Sequence, residues 1–122
     1  MRKVWGFGDS ILKGAVLSDG PAVKYTLLPE GFPEQSLRPM GFEVCNQARF
    51  GSTIVTGSKI FDRHLYSIAE GDIVTLEFGG NDCDFPWKDI GGNPDLPKLP
   101  FTPIQSFTDT YRSIVHSCRQ RG

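Results

Sequence analysis

Apolar positions along the chain fall into three short runs and two longer periodic stretches. "KVWGF" (3–7) is a brief apolar run that stops at Gly8, as a buried strand would. "FEVCN" (42–46) alternates and reads as a second strand, and "DIVTLEF" (72–78), rich in β-formers, as a third. Between them, "SILKGAVL" (10–17) predicts a short helix weakened by Gly14. Small cap-type residues open the stretch 51–72, which closes on Gly71, with Ile54, Phe61, Leu65 and Ile68 near one helical face. The clearest element is the last. Thr102 is placed to cap it, Pro103 suits its first turn, and Ile104, Phe107, Tyr111, Ile114, Val115 and Cys118 form its apolar stripe.

Turn residues mark the connections. Residues 18–41 carry four prolines and three glycines, which reads as a long surface excursion with a small hairpin around "VKYTLL". The stretch 79–100 is thick with glycine and proline and reads as a loop. Strands alternating with helices imply parallel pairing, right-handed crossovers and a three-layer α/β sandwich. In such sheets ligands bind beyond the carboxyl ends of the strands. The segments that follow the three strands, "GDS", "NQARFGS" and "GGND", are therefore expected at one edge of the sheet.

The bulk numbers narrow this picture without redirecting it. A length of 122 residues fits one domain, 1–122. Such a domain buries roughly two-thirds of its unfolded surface. Hydrophobic residues make up 39% and charged residues 22%, and the net charge is −1, so no basic face suggests nucleic acid. Cys45, Cys83 and Cys118 are scattered and odd in number, without a CxxC pair, which argues against a disulfide framework or a zinc site and fits a reducing compartment. The start lacks a secretory apolar region, and no run approaches a membrane span. The expectation is a soluble, cytoplasmic protein with neither nucleic acid nor membrane as a partner.

The loop residues suggest chemistry. Hydrolysis of an ester needs a hydroxyl that attacks a carbonyl and fixed donors for the oxyanion that develops. Ser10 follows a strand and opens a helix, where first-turn amides lack intrahelical partners. Gly51 can present its N–H unobstructed, and Asn81 offers an amide NH2 on a Gly-Gly-Asn-Asp turn. Each has a plainer reading. Serine is a favoured N-cap, glycine a turn residue, and Asn81 and Asp82 ordinary turn formers. Asn46 reads as tying down its own loop, and Asp82 as a structural partner.

Together, "FGDS", "NQARFGS" and "FGGND" resemble blocks I, II and III of the SGNH (GDSL-type) hydrolases, in order and approximate spacing. The resemblance implies a flavodoxin-like three-layer α/β/α sandwich with a parallel sheet. It implies ester hydrolysis through an acyl-serine, with Ser10 as nucleophile and an oxyanion hole made by Ser10, Gly51 and Asn81. It implies no metal and no organic cofactor, and a small-molecule ester as substrate.

One part of the family pattern is missing. The late D-x-x-H block has no counterpart, and the two histidines, His64 and His116, both fall on expected helices. Asp62 stands two residues before His64, which is the wrong spacing. Both imidazoles read as solvent-facing rather than catalytic. The chain also stops about where the fourth strand of the family fold would begin. The expectation is a domain truncated after its third strand and the helix that follows, lacking its own His-Asp base. Strand 72–78 would then be an open edge through which copies associate. A second function class stays open, a non-catalytic α/β module that holds a small anionic, acylated or glycan ligand with the same loops. Cys83 reads as an incidental thiol. Phe85, Pro86 and Trp87 are either one wall of an acyl pocket or loop packing.

Overall fold

The computed structural model describes residues 1–22, 24–95 and 97–122. Three parallel strands form the central sheet: β1 (Lys3–Gly8), β4 (Glu43–Asn46) and β5 (Ile73–Glu77). Their order is β4-β1-β5, with Trp5 opposite Cys45 on one side and Val74 on the other. The first strand in the chain thus lies in the middle, as a doubly wound α/β fold requires. The architecture is a flavodoxin-like α/β arrangement with helices on both faces of the sheet.

Side-chain alternation along the strands decides which helices go where. Trp5 and Phe7 of β1, with Cys45, Val74 and Leu76, point to one face. There they meet α3 (Ile54–His64) and α5 (Ile104–Arg121). Ile54, Ile60 and Phe61 of α3 and Ile114 of α5 complete the buried cluster. Phe7 and Phe61 meet edge-on, centroids 5.3 Å apart, the geometry that aromatic quadrupoles favour. The opposite face is thinner. Leu12 of α1 (Ser10–Lys13) lies over Gly6 and Gly8 of β1, and α2 (Phe32–Leu37) lies beside β4. Beyond them Ile73 is 40% exposed and Thr75 is exposed, so this face of β5 is uncovered among the described residues.

Several elements differ from the sequence expectation. The helix expected over 10–17 ends at Lys13, because Gly14 takes a φ of 111° and its N–H closes the turn on the Ser10 and Ile11 carbonyls. The chain then runs into β2 (Ala15–Leu17), which pairs antiparallel with β3 (Tyr25–Leu27). The hairpin expected around "VKYTLL" therefore forms with 15–17 as its partner strand; Val23, at the start of that stretch, lies outside the described residues. The excursion 18–41 also contains α2 and a 3₁₀ turn, Arg38–Met40. Pro33 and Pro39, read as turn signals, instead occupy first-turn positions where a missing N–H costs nothing. The loop 79–100 holds α4 (Trp87–Gly92), and Leu96 of that loop lies outside the described residues.

The start of α5 is also corrected. Pro103 takes the N-cap position and no side chain caps the helix. Thr102 turns inward, and its hydroxyl donates to Asp82 Oδ1 at 2.6 Å. Donating its O–H to a buried carboxylate gives Thr102 a charge-assisted bond, stronger than the neutral one its oxygen would accept as a helix cap. Ile104, expected in the apolar stripe, is 77% exposed, one turn before Phe107 begins the packed face.

Candidate active site

The three loops after the parallel strands do converge. Ser10, Gly51 and Asn81 line one open cavity of about 310 Å³, with Ile11, Ala15, Tyr25 and Phe50 as its remaining walls. These walls are apolar and face solvent: Ile11 is 63% exposed, Tyr25 71% and Phe50 62%. Tyr25 comes from β3, so the β2–β3 hairpin supplies one side of the cavity.

Each of the three residues is placed by a distinct local device. Ser10 is the first residue of α1, and the N-cap is Asp9, whose Oδ1 accepts the Ile11 N–H at 2.9 Å. The capping role open to Ser10 in the sequence is thus taken by its neighbour. Gly51 has a φ of 73° in a turn closed by the Ser52 N–H on the Arg49 carbonyl at 3.2 Å. A side chain at that left-handed position would be strained, and glycine leaves the backbone open to the cavity. Asn81 is set by its Nδ2, which donates to the Ser52 carbonyl at 3.0 Å and to Asp9 Oδ2 at 3.4 Å.

Buried polar groups hold these loops together. Asp82 accepts the Ile54 N–H on both carboxyl oxygens, at 2.9 and 3.1 Å, and joins the loop after β5 to the start of α3. Asn46 Oδ1 accepts the Ala48 N–H at 3.0 Å, while its Nδ2 donates to the Leu12 carbonyl at 2.9 Å. It therefore secures its own loop and also the end of α1. Asp9 lies between the first and third loops at 3% exposure. Its N–H donates to Glu77 Oε2 at 3.3 Å. Burial, together with the neighbouring Asp9 carboxyl, pushes the Glu77 pKa up to about 7. Neither Asp9 nor Glu77 was assigned a role from the sequence. The available signal was a lone carboxylate ending an otherwise apolar strand.

The imidazoles are elsewhere. No histidine is among the described residues that line the Ser10 cavity. His64 is half-buried and stacks at a tilt on Trp5, centroids 5.6 Å apart, with Phe7 at 6.3 Å. This corrects the solvent-facing expectation. The apolar face of α3 extends far enough to draw its last residue onto the aromatic side chains of β1. His116 is exposed on α5. Cys83 and Phe85 line a separate, largely apolar cavity of about 260 Å³ with Gly79, Pro100, Ile104 and Phe107. Phe85 also contacts Trp87, centroids 5.3 Å apart, and neither ring lines the cavity of Ser10.

Comparison with known proteins agrees at the level of fold. The chain is similar in structure to a lipase/acylhydrolase from Enterococcus faecalis, with a TM-score of 0.58 and 22% sequence identity. The match covers 97% of this chain and 52% of that one, so this chain spans about half the length of that protein. No family model matches the chain. No curated protein matches it either. No helix among the described residues is long and apolar enough to cross a membrane.

Proposed function

We propose that this chain carries the nucleophile and oxyanion hole of an SGNH-type serine ester hydrolase. The observation that carries the proposal is the meeting of Ser10, Gly51 and Asn81 in one cavity beyond the ends of three parallel strands. Ser10 Oγ attacks the ester carbonyl. The carbonyl oxygen becomes an oxyanion, held by the backbone N–H groups of Ser10 and Gly51 and by the Asn81 amide. Collapse of the tetrahedral species expels the alcohol and leaves an acyl-serine, which water then releases. The apolar walls supplied by Ile11, Tyr25 and Phe50 favour an uncharged group beside the scissile carbonyl.

The Ser10 proton passes to a general base that is not among the described residues lining the cavity. In subtilisin, removing the catalytic histidine costs on the order of 10⁶ in turnover, so the 122 residues by themselves are expected to turn over almost no ester. The test is intact-mass analysis after exposure to an alkyl fluorophosphonate, using the protein expressed from its own gene with whatever sequence follows residue 122. One adduct per chain, lost in Ser10→Ala, is expected. A well-folded sample with no adduct at Ser10 would end the proposal.

The open cavity with its apolar walls also suits a second reading, a non-catalytic module that holds an acylated, anionic or glycan ligand there. In that case Ser10→Ala retains full ligand affinity by calorimetry, and neither form hydrolyses the ligand.

A further inference from the structure

Glu77 ends β5 opposite Gly8 of β1, so its side chain lies next to Asp9. Three polar side chains then follow in series. Glu77 Oε2 accepts the Asp9 N–H at 3.3 Å, which brings the two carboxyl groups next to one another. Asp9 Oδ2 accepts Asn81 Nδ2 at 3.4 Å. The second N–H of that amide goes to the Ser52 carbonyl at 3.0 Å. An asparagine amide has only two N–H donors, and both are taken. Asn81 can serve an oxyanion only by leaving a partner, and the longer bond, to Asp9, is the one to yield.

We propose that Glu77 is a positioning residue that sets, through Asp9, whether the Asn81 amide is latched or free to turn into the Ser10 cavity. When Glu77 holds its proton, its O–H is donated to the Asp9 carboxylate. That bond occupies part of the acceptor capacity of Asp9 and weakens its hold on Asn81. When Glu77 ionises, the O–H is lost and the half-buried Glu77 anion lies beside the buried Asp9 carboxylate. The Asn81 N–H is then the main compensation left to Asp9 Oδ2, and the latch tightens.

The neighbouring ionisable groups do not replace this pairing. On the thinner face, α1 contributes Lys13 in its last turn and α2 contributes Glu34, whose Oε2 is engaged by Asn46 Nδ2 at 3.3 Å. In the loop after β5, Asp82 is occupied by Ile54 and Thr102. Lys3 and Glu43 sit at the opposite end of the sheet, paired with each other at 3.5 Å. Because Glu77 titrates near 7, both states of the latch are populated around neutrality. The catalytic meaning of the release rests on the proposed acyl-transfer reading; the restraint on Asn81 does not.

The experiment follows the Asn81 side-chain amide by ¹H–¹⁵N spectroscopy of the protein expressed from its own gene between about pH 5 and 9, a range that brackets the titration. Both amide protons should shift with a midpoint of about 7. In Glu77→Gln, whose amide donates to Asp9 as the protonated acid does, they should stay near their low-pH positions. In Asp9→Asn, which removes the anion, the titration should vanish as well. Signals that do not move in this range, or that titrate unchanged in either variant, overturn the proposal. A second arm compares Ser10 phosphonylation rates in the protein expressed from its own gene. The ratio of Glu77→Gln to wild type should be near one in acid and rise to between about three- and tenfold above neutrality, a fraction of the 10²–10³ lost when a whole oxyanion donor is removed. Labelling with a flat ratio overturns the proposal. Absence of labelling in both proteins defeats the acyl-transfer reading, and the amide titration then decides the latch.

Discussion

Asp9 and Asn81 meet across the ends of β1 and β5, with Asn81 Nδ2 donating to Asp9 Oδ2 at 3.4 Å. The residues are 72 positions apart in the chain. Their contact registers the first loop against the third, and so places Ser10 beside the amide proposed to stabilise its oxyanion. Asp9 does this while capping α1, so one buried carboxylate positions both the serine and the asparagine.

Asp82 is the corresponding tie on the other side of the site. Asp82→Ala would leave the Ile54 N–H and the Thr102 hydroxyl without their buried acceptor. Hydrogen bonds to a charged group contribute about 1.5–3 kcal/mol, so urea unfolding should show a loss of that size. Thr102→Val should lose less than Asp82→Ala, about 1.5 kcal/mol, since it removes one donor to the carboxylate and leaves the helix bond to Ile54 intact.

At the bottom of the sheet, Asp72 accepts the Trp5 indole N–H at 3.0 Å and the backbone N–H groups of Lys3 at 3.2 Å and Ala69 at 3.0 Å. Burial acts to raise its pKa, but these hydrogen bonds outweigh it and hold the carboxyl below the ordinary aspartate value. A depressed carboxyl contributes stability above its unfolded pKa, and that stability is lost as pH falls through the folded one. Melting temperature should therefore drop as acid is added below about pH 4, and the drop should be shallower in Asp72→Asn.

Glu77 has the opposite sign. Its pKa is raised on folding, so below its unfolded value it costs nothing, and the cost grows as pH rises toward about 7. Glu77→Gln should be more stable than wild type at neutral and alkaline pH, with the difference vanishing below about pH 4. Thermal melts at several pH values would show it, and a difference independent of pH would contradict this account.

Gly57 lies on the buried face of α3, where an added Cβ would overlap the ring of Phe78. Phe78 is half-buried and packs against the core cluster, so moving its ring disturbs that packing. Gly57→Ala should gain helix propensity yet lose about 1–3 kcal/mol net in denaturant unfolding, because overpacking dominates. A stabilised variant would show that the ring moves freely.

The parallel strands were legible because their apolar or alternating runs are short and flanked by glycine at one end or both. The convergence of Ser10, Gly51 and Asn81 followed from the parallel sense of the strands, which puts the loops after them at one edge of the sheet. Short elements were not legible. α2 and α4 each have six residues, and their prolines and glycines read as turns although several serve as helix starts. The inward turn of Thr102 depends on Asp82, 20 residues away in the chain, which no local pattern reports. His64 was misplaced for a similar reason, since its burial comes from Trp5 rather than from its neighbours on α3. The pairing of Glu77 with Asp9 required the register of β5 on β1.

The most direct test of the account is a crystal structure of the Ser10 phosphonate adduct of the protein expressed from its own gene. The account predicts the phosphoryl oxygen within about 2.7–3.2 Å of the Ser10 N–H, the Gly51 N–H and Asn81 Nδ2, with the Asn81 bond to Asp9 broken. An adduct whose oxygen points to solvent, while Asn81 remains on both Asp9 and Ser52, would contradict it.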